Sequence, residues 1–276
     1  MDMSFSSRNK GNSLLFSEIR TPEEMLVFLK DDQRLKHNDM LYHYCGLEKL
    51  ERILKNKQWY FSSPKGMNDH YEYEKFHHWS GKYFLCFMKT TKEEISMWSM
   101  YGQPWTQGVR IGMPVKTFKN WIQKTKYVTR TEKYGGSIIN NVRCYFGDVL
   151  YADDDPNADL ITGNNTKNIY FKPYKYEEMA GYVKDVAWGY EKECRFHIDI
   201  PYCEDDGVLV DMPDEVIQDM TIMTGPRFRA FDDLKAHLLN GIKTDSSKFT
   251  DKLSWVYCDN CPYKKKRVEK ALTSDN

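Results

Sequence analysis

No run of apolar residues in this chain is long enough to cross a membrane. The longest clearly apolar stretch, YFLCFM at 83 to 88, is the length of a strand. The first residues, MDMSFSSRNKGNSLLF, lack the apolar core of a secretory leader. Charge of one sign is missing as well: Lys+Arg and Asp+Glu are both 40, so the formal net charge of the 276 residues is +0. That balance argues against a protein that grips nucleic acid by bulk charge. CPYKKKRVEK near the C-terminus is the one dense basic run, and it is either a solvated tail or a local basic patch for nucleic acid. The seven cysteines are scattered and odd in number, which does not suggest a disulfide framework. Cys258 and Cys261 form a C-x-x-C with no second pair at zinc-ribbon spacing. His77 and His78 are adjacent, so on a strand they point to opposite faces and share a metal poorly. There is no G-x-G-x-x-G, Walker loop, G-x-S-x-G elbow or H-E-x-x-H. These absences lead us to expect a cytoplasmic protein with reduced thiols, no metal and no membrane association.

Aromatic residues make up 14% of the chain, including 19 tyrosines and 7 tryptophans. They can wall a pocket or fill a core. Short strand-like runs alternate with helical patterns, which predicts a mixed α+β fold. No linker or repeat divides it, so we expect one domain over 21–257 between a tail at 1–20 and a basic tail at 258–276. Thr21-Pro22-Glu23-Glu24 has the cap, the proline and the first-turn acids of a helix start. Thr91 with Glu94 reads as a second capping box, opening KEEISMWSMY. Helical stripes are expected for Leu47, Leu50, Ile53 and Leu54, and for Val115, Phe118, Trp121 and Ile122. A further helical stretch is expected around 176–187, then a helix at 231–240. Strands are expected at 40–45, 58–63, 83–88, 107–113, 141–152, 189–198, 207–211, 220–224 and 252–257, with a polar loop over 153–166.

Four clusters stand out at the edges of these elements. In the first, His43 lies between Tyr42 and Tyr44; it is either a satisfied structural histidine or a ligand donor beside a ring. In the second, Ser62, Ser63, Asn68 and Asp69 surround a loop with turn chemistry, and Asn or Asp can brace such a loop through its own backbone. In the third, Met97, Trp98 and Tyr101 share a helical face while Ser99 points elsewhere. The fourth is GYEKECRFHI at 189 to 198. Strand alternation puts Glu191, Glu193, Arg195 and His197 on one face and Cys194, Phe196 and Ile198 on the other. Either that charged face is the wet side of a half-buried sheet, or it lines a site in which Arg195, Lys192 or a cationic ligand offsets the two carboxylates.

The order of LYHYCGLEKLERILKNKQWYFSSPKGMNDHYEYE, YFLCFMKTTKEEISMWSMYGQPWTQGVRIGM, WGYEKECRFHI and MTGPRF resembles the bacterial domain of unknown function 2971 family over about 40–257. Departures from its pattern are Cys194 for a tryptophan, His70 for a proline, and the loop Trp105-Thr106-Gln107. A second, more distant resemblance is to the ADP-ribosyltransferases. It implies a bent or split mixed/antiparallel sheet flanked by helices, with NAD as substrate and no metal. By position it makes His43 the residue that holds the NAD ribose. Ser62 or Tyr101 would support the nicotinamide end, with Tyr42, Tyr44 or Tyr101 stacking on its ring. Glu193 becomes the carboxylate that drives the chemistry and Glu191 its upstream companion, while Arg195 or Arg110 meets the pyrophosphate. Ser63, Asn68, Asp69, Trp98 and Ser99 complete the implied binding set. The resemblance also implies a toxin or phage-defence effector that acts on a protein or nucleic-acid acceptor or hydrolyses NAD. Two rival expectations stand beside it: a nucleic-acid-directed effector, either nuclease or RNA-binding toxin, and a non-catalytic nucleotide sensor.

Overall fold

The computed structural model describes residues 19–31, 35, 39–69, 72, 74, 81–152, 176–238 and 241–249. The strand expected at 252–257, the loop at 153–166, the tail at 258–276, His77, His78, Cys258 and Cys261 lie outside them, as does the tail at 1–20 apart from Ile19 and Arg20. The architecture is mixed α+β, in two compact units interleaved along the sequence. Among the described residues no helix is long and apolar enough to cross a membrane.

The first unit takes the described residues of Met1–Lys36, Tyr60–Phe87 and Thr125–Val210. Its helix α1 (Pro22–Leu29) begins as its sequence dictates. Thr21 accepts the Glu24 backbone N–H, and the Glu24 side chain returns to the Thr21 backbone. The helix buries Met25 and Leu29 in a core with Ile19, Phe84, Leu150, Met179 and Tyr182. Strand β3 (Lys82–Met88) pairs antiparallel with β2 (Gln58–Ser62) and also with β10 (Glu193–Asp199). On its other edge β10 pairs antiparallel with β7 (Cys144–Asp148), Arg195 lying opposite Gly147. β11 (Gly207–Asp211), β5 (Tyr127–Arg130) and β6 (Ile138–Asn140) extend the order from β2. A small parallel pair, β8 (Leu150–Ala152) with β9 (Val183–Asp185), lies apart from that path.

The second unit takes the described residues of His37–Trp59, Met88–Lys124 and Asp211–Asn276. β1 (Met40–Gly46) pairs along its full length with β4 (Gly108–Pro114), β4 with β12 (Thr221–Thr224), and β12 in parallel with β13 (Lys243–Ser246). Around these strands the unit carries α2 (Leu47–Asn56), α3 (Ile95–Tyr101), α4 (Val115–Lys124), α5 (Asp214–Gln218) and α6 (Phe231–His237). α2 and α4 bury the expected stripes, and the Trp121 indole N–H of α4 donates to the Asp211 carbonyl at 2.7 Å.

Several expectations are corrected. Thr91 and Glu94 form no capping box: α3 starts at Ile95 with Glu94 extended before it and no side-chain cap. Thr91 instead gives its carbonyl to Arg110, and the Lys92 N–H turns back to the Thr90 hydroxyl. The helical stretch around 176–187 is a short 3-10 turn (Glu177–Met179), then β9, then a second 3-10 segment (Val186–Glu191). Pairing of β9 with β8 overrides the helical pattern there. The single strand expected over 141–152 is two, because β7 and β8 pair with different partners. The strand expected from 189 begins only at Glu193, after Lys192 turns the chain through φ 45.

Candidate functional site

The face carrying Glu193, Arg195 and His197 is not wet. These residues are 5%, 1% and 2% exposed, and Glu191 in the preceding turn is 2% exposed. A buried guanidinium needs acceptors on every edge, and Arg195 has them. Its Nε donates to Glu193 Oε1 at 2.9 Å and its Nη2 to Glu193 Oε2 at 3.0 Å. Nη1 and Nη2 together grip both oxygens of Glu72, and Nη1 also reaches the Gly181 carbonyl at 3.1 Å. Lys184 on β9 donates to Glu191 at 2.5 Å and to Glu193 at 3.5 Å. Lys192, in the left-handed region between the two glutamates, lets both carboxylates meet one ammonium. Three carboxylates thus surround two cations.

Burial opposes ionisation of Glu193, but the Arg195 and Lys184 charges outweigh it and hold the carboxyl down at about 2. Burial likewise works against the Lys184 ammonium, and Glu193 and Glu191 more than reverse it, raising its pKa. For Glu72 burial prevails over Arg195 and raises the carboxyl. The Cys86 thiol beside Glu193 is pushed well up, first by burial and then by that carboxylate. At neutral pH Glu193 is therefore an ionised group that takes up no proton; what it can do is stabilise positive charge. Next along the strand, His197 bonds the Tyr182 hydroxyl through Nε2 at 2.5 Å and packs on Phe84 and Tyr145. Burial, then Lys82, Lys30 and Arg195, hold its pKa well below the usual value.

In the second unit, Tyr44 stands opposite Arg110 and Tyr42 opposite Gly112, so these four positions share a face. The Arg110 guanidinium lies 4.2 Å from the Tyr42 ring centroid and 5.7 Å from that of Tyr44. Trp98 meets Tyr44 edge-on at 4.7 Å and donates its indole N–H to Glu93. Ser99 is exposed and Tyr101 half-buried. His43 projects from the opposite face of β1 and meets Trp59 edge-on at 5.7 Å.

Of the expected residues, Glu191, Glu193 and Arg195 come together in the first unit, and Tyr42, Tyr44, Trp98 and Arg110 in the second. Asp69 accepts the Glu72 N–H at 3.2 Å, so it braces the partner of Arg195. Ser62 and Ser63 hold their own turn, the Ser63 N–H donating to the Asp206 carbonyl at 2.8 Å, and Asn68 is exposed. Sequence reasoning missed Glu72, Lys184 and Tyr151, whose hydroxyl accepts the Glu193 N–H at 2.8 Å. It also missed Glu93. Only a buried charge on β10, known in advance, would have prompted a search for distant counterions. Among the described residues no group of three or more His, Cys, Asp or Glu is placed to hold a metal ion.

The fold and this buried ionic knot define a mixed α+β protein built around a clamped arginine. A family model described as "Protein of unknown function (DUF2971)" matches residues 97–196. The match contains Trp98, Ser99, Tyr101, Arg110, Glu191, Glu193 and Arg195, and leaves Tyr42 to Asp69 outside it. No curated protein matches the chain.

Proposed function

We propose that the protein cleaves the nicotinamide–ribose bond of NAD, passing ADP-ribose to a macromolecular acceptor or to water. The reading is supported by one observation above the others: Glu193 is a buried carboxylate fixed in place by the Arg195 guanidinium and the Lys184 ammonium, whose charges favour its ionised form. As nicotinamide leaves with the bonding electron pair, positive charge develops on the ribose, much as in glycoside cleavage. A fixed carboxylate in low dielectric stabilises that charge far more than one in water. Arg195 and Lys184 fix its position, and Lys184 ties Glu191 into the same arrangement. With both oxygens held by cations, Glu193 acts by charge and not by proton transfer.

The test is nicotinamide release from NAD, with labelled NAD and cell lysate supplying acceptors. Glu193→Gln keeps an acceptor for Arg195 but removes the charge, and is expected to lower the rate by about 10²-fold or more. A wild type that releases no nicotinamide and transfers no label, or a variant as fast as wild type, overturns the proposal.

A second reading has its own support. Both Glu193 oxygens already accept from Arg195, and one also from Lys184, as a purely structural carboxylate would. In that reading the protein binds NAD or a related nucleotide without turnover. Calorimetric binding of NAD with no nicotinamide released selects it.

A further inference from the structure

Arg110 is the structural opposite of Arg195. It is 5% exposed, yet among the described residues no carboxylate pairs with it. Among the described residues only Nη1 is engaged, with the Tyr44 hydroxyl at 3.4 Å and the Thr91 carbonyl at 3.3 Å, both longer than a good N–H···O bond. Nε is buried and has no partner at all. The unit's buried carboxylate, Glu93, is spent elsewhere: it accepts from the Trp98 indole at 3.1 Å, the Ser247 hydroxyl at 2.5 Å and the Lys248 backbone at 3.0 Å. Nor do the tyrosines supply charge. Burial raises the pKa of Tyr42 and of Tyr44, against the lowering pull of Arg110, so both stay neutral phenols. Their rings face the cation, which is favourable but supplies no hydrogen-bond acceptor.

The local backbone is shaped around this side chain. A Cβ on Gly112 would stand 2.4 Å from the Thr221 hydroxyl and 3.2 Å from the Tyr42 ring, so the glycine admits the ring that lies against the guanidinium. The Nε and Nη2 hydrogens form one edge of a guanidinium and point side by side, matching two oxygens of a single oxyanion. A buried cation left without an anion is costly, and a ligand that brings one removes the cost.

We propose that the Nε–Nη2 edge of Arg110 is an oxyanion-binding site, taking the phosphoryl group of a small ligand side-on while Tyr42 and Tyr44 flank the guanidinium. The site stands on the second unit alone and does not depend on NAD cleavage at Glu193.

The full chain is titrated with inorganic phosphate, ADP and acetate at constant ionic strength, following thermal midpoint and the fluorescence of tryptophan, since Trp98 rests on Tyr44. Phosphate or ADP is expected to give a saturable response, about tenfold or more tighter than acetate. Arg110→Met, which keeps much of the packing, is expected to lose that response while its unliganded midpoint holds or rises. Arg110→Lys keeps the charge without the fork and is expected to bind about tenfold or more weakly. The absence of a saturable wild-type response overturns the site, as does wild-type affinity in Arg110→Met. A response to acetate alone overturns its phosphoryl assignment. No NAD is present, so the outcome is separate from that of the nicotinamide assay.

Discussion

Arg195 and His197 lie two residues apart on one strand face, and their opposite charge states are set by what surrounds them. Arg195 stays charged because Glu72 and Glu193 fill its edges; His197 stays neutral because it is buried and its charged neighbours are cations. Both states make stability depend on pH. The His197 pKa is depressed on folding, so below about pH 6.5 the unfolded chain takes up a proton that the folded one refuses. Its contribution is complete above that pH and is lost as pH falls. Glu193 acts lower: its contribution is complete above about pH 4.3 and disappears as pH falls through about 2, a swing on the order of 3 kcal/mol. Urea midpoints measured from pH 2 to 8 are expected to decline in those two windows. His197→Gln, which keeps a partner for Tyr182, is expected to flatten the upper one. Strand alternation placed Glu193, Arg195 and His197 on one face correctly. Whether that face met water was not readable locally, because its counterions Glu72 and Lys184 come from segments with no pattern linking them to it.

At the scale of elements, two similar threonine–glutamate patterns behave differently. Thr21 and Glu24 close a reciprocal box, the Glu24 carboxylate accepting the Arg20 N–H as well; at Thr91 a tertiary bond to Arg110 takes the carbonyl, and Glu94 stays extended with no cap. Removing the working cap by Thr21→Ala is expected to cost about 1 kcal/mol in unfolding free energy, measured by urea denaturation. Thr91→Ala, having no cap to lose, is expected to leave helix content unchanged by circular dichroism. The stripes of α2 and α4 were legible because they carry a full amphipathic period, with Leu50 and Ile53 buried on one and Phe118 and Trp121 on the other. Short segments such as β8 and β9 carry no complete period, and only their mutual pairing defines them.

At the scale of the whole molecule, the α+β composition was legible but the two units were not. Three of their five boundaries fall between Trp59 and Tyr60, Phe87 and Met88, and Val210 and Asp211, within strands β2, β3 and β11. Boundaries usually announce themselves by polar, Gly- or Pro-rich linkers, and none marks these three. The described cysteines carry a molecule-wide consequence. Cys45, Cys194 and Cys203 are buried, and Cys86 and Cys144 partly so, and these five form no disulfide among the described residues. Burial pushes Cys45 and Cys144 up to about 12, so little thiolate forms at neutral pH. Ellman's reagent at pH 8 is expected to label these five slowly in native protein and rapidly in guanidinium, with peptide mapping to assign each.

The amide of Glu193 is held by the Tyr151 hydroxyl, while the carbonyl of the same residue accepts the Val149 N–H at 3.3 Å. The first peptide group of β10 is thus latched by a side chain where a strand neighbour would ordinarily serve. Its hydrogen exchange is therefore expected to depend on the hold of one tyrosine, itself seated in β8, as well as on the breathing of the sheet. Solvent reaching that amide marks the moment at which the ionic knot begins to open.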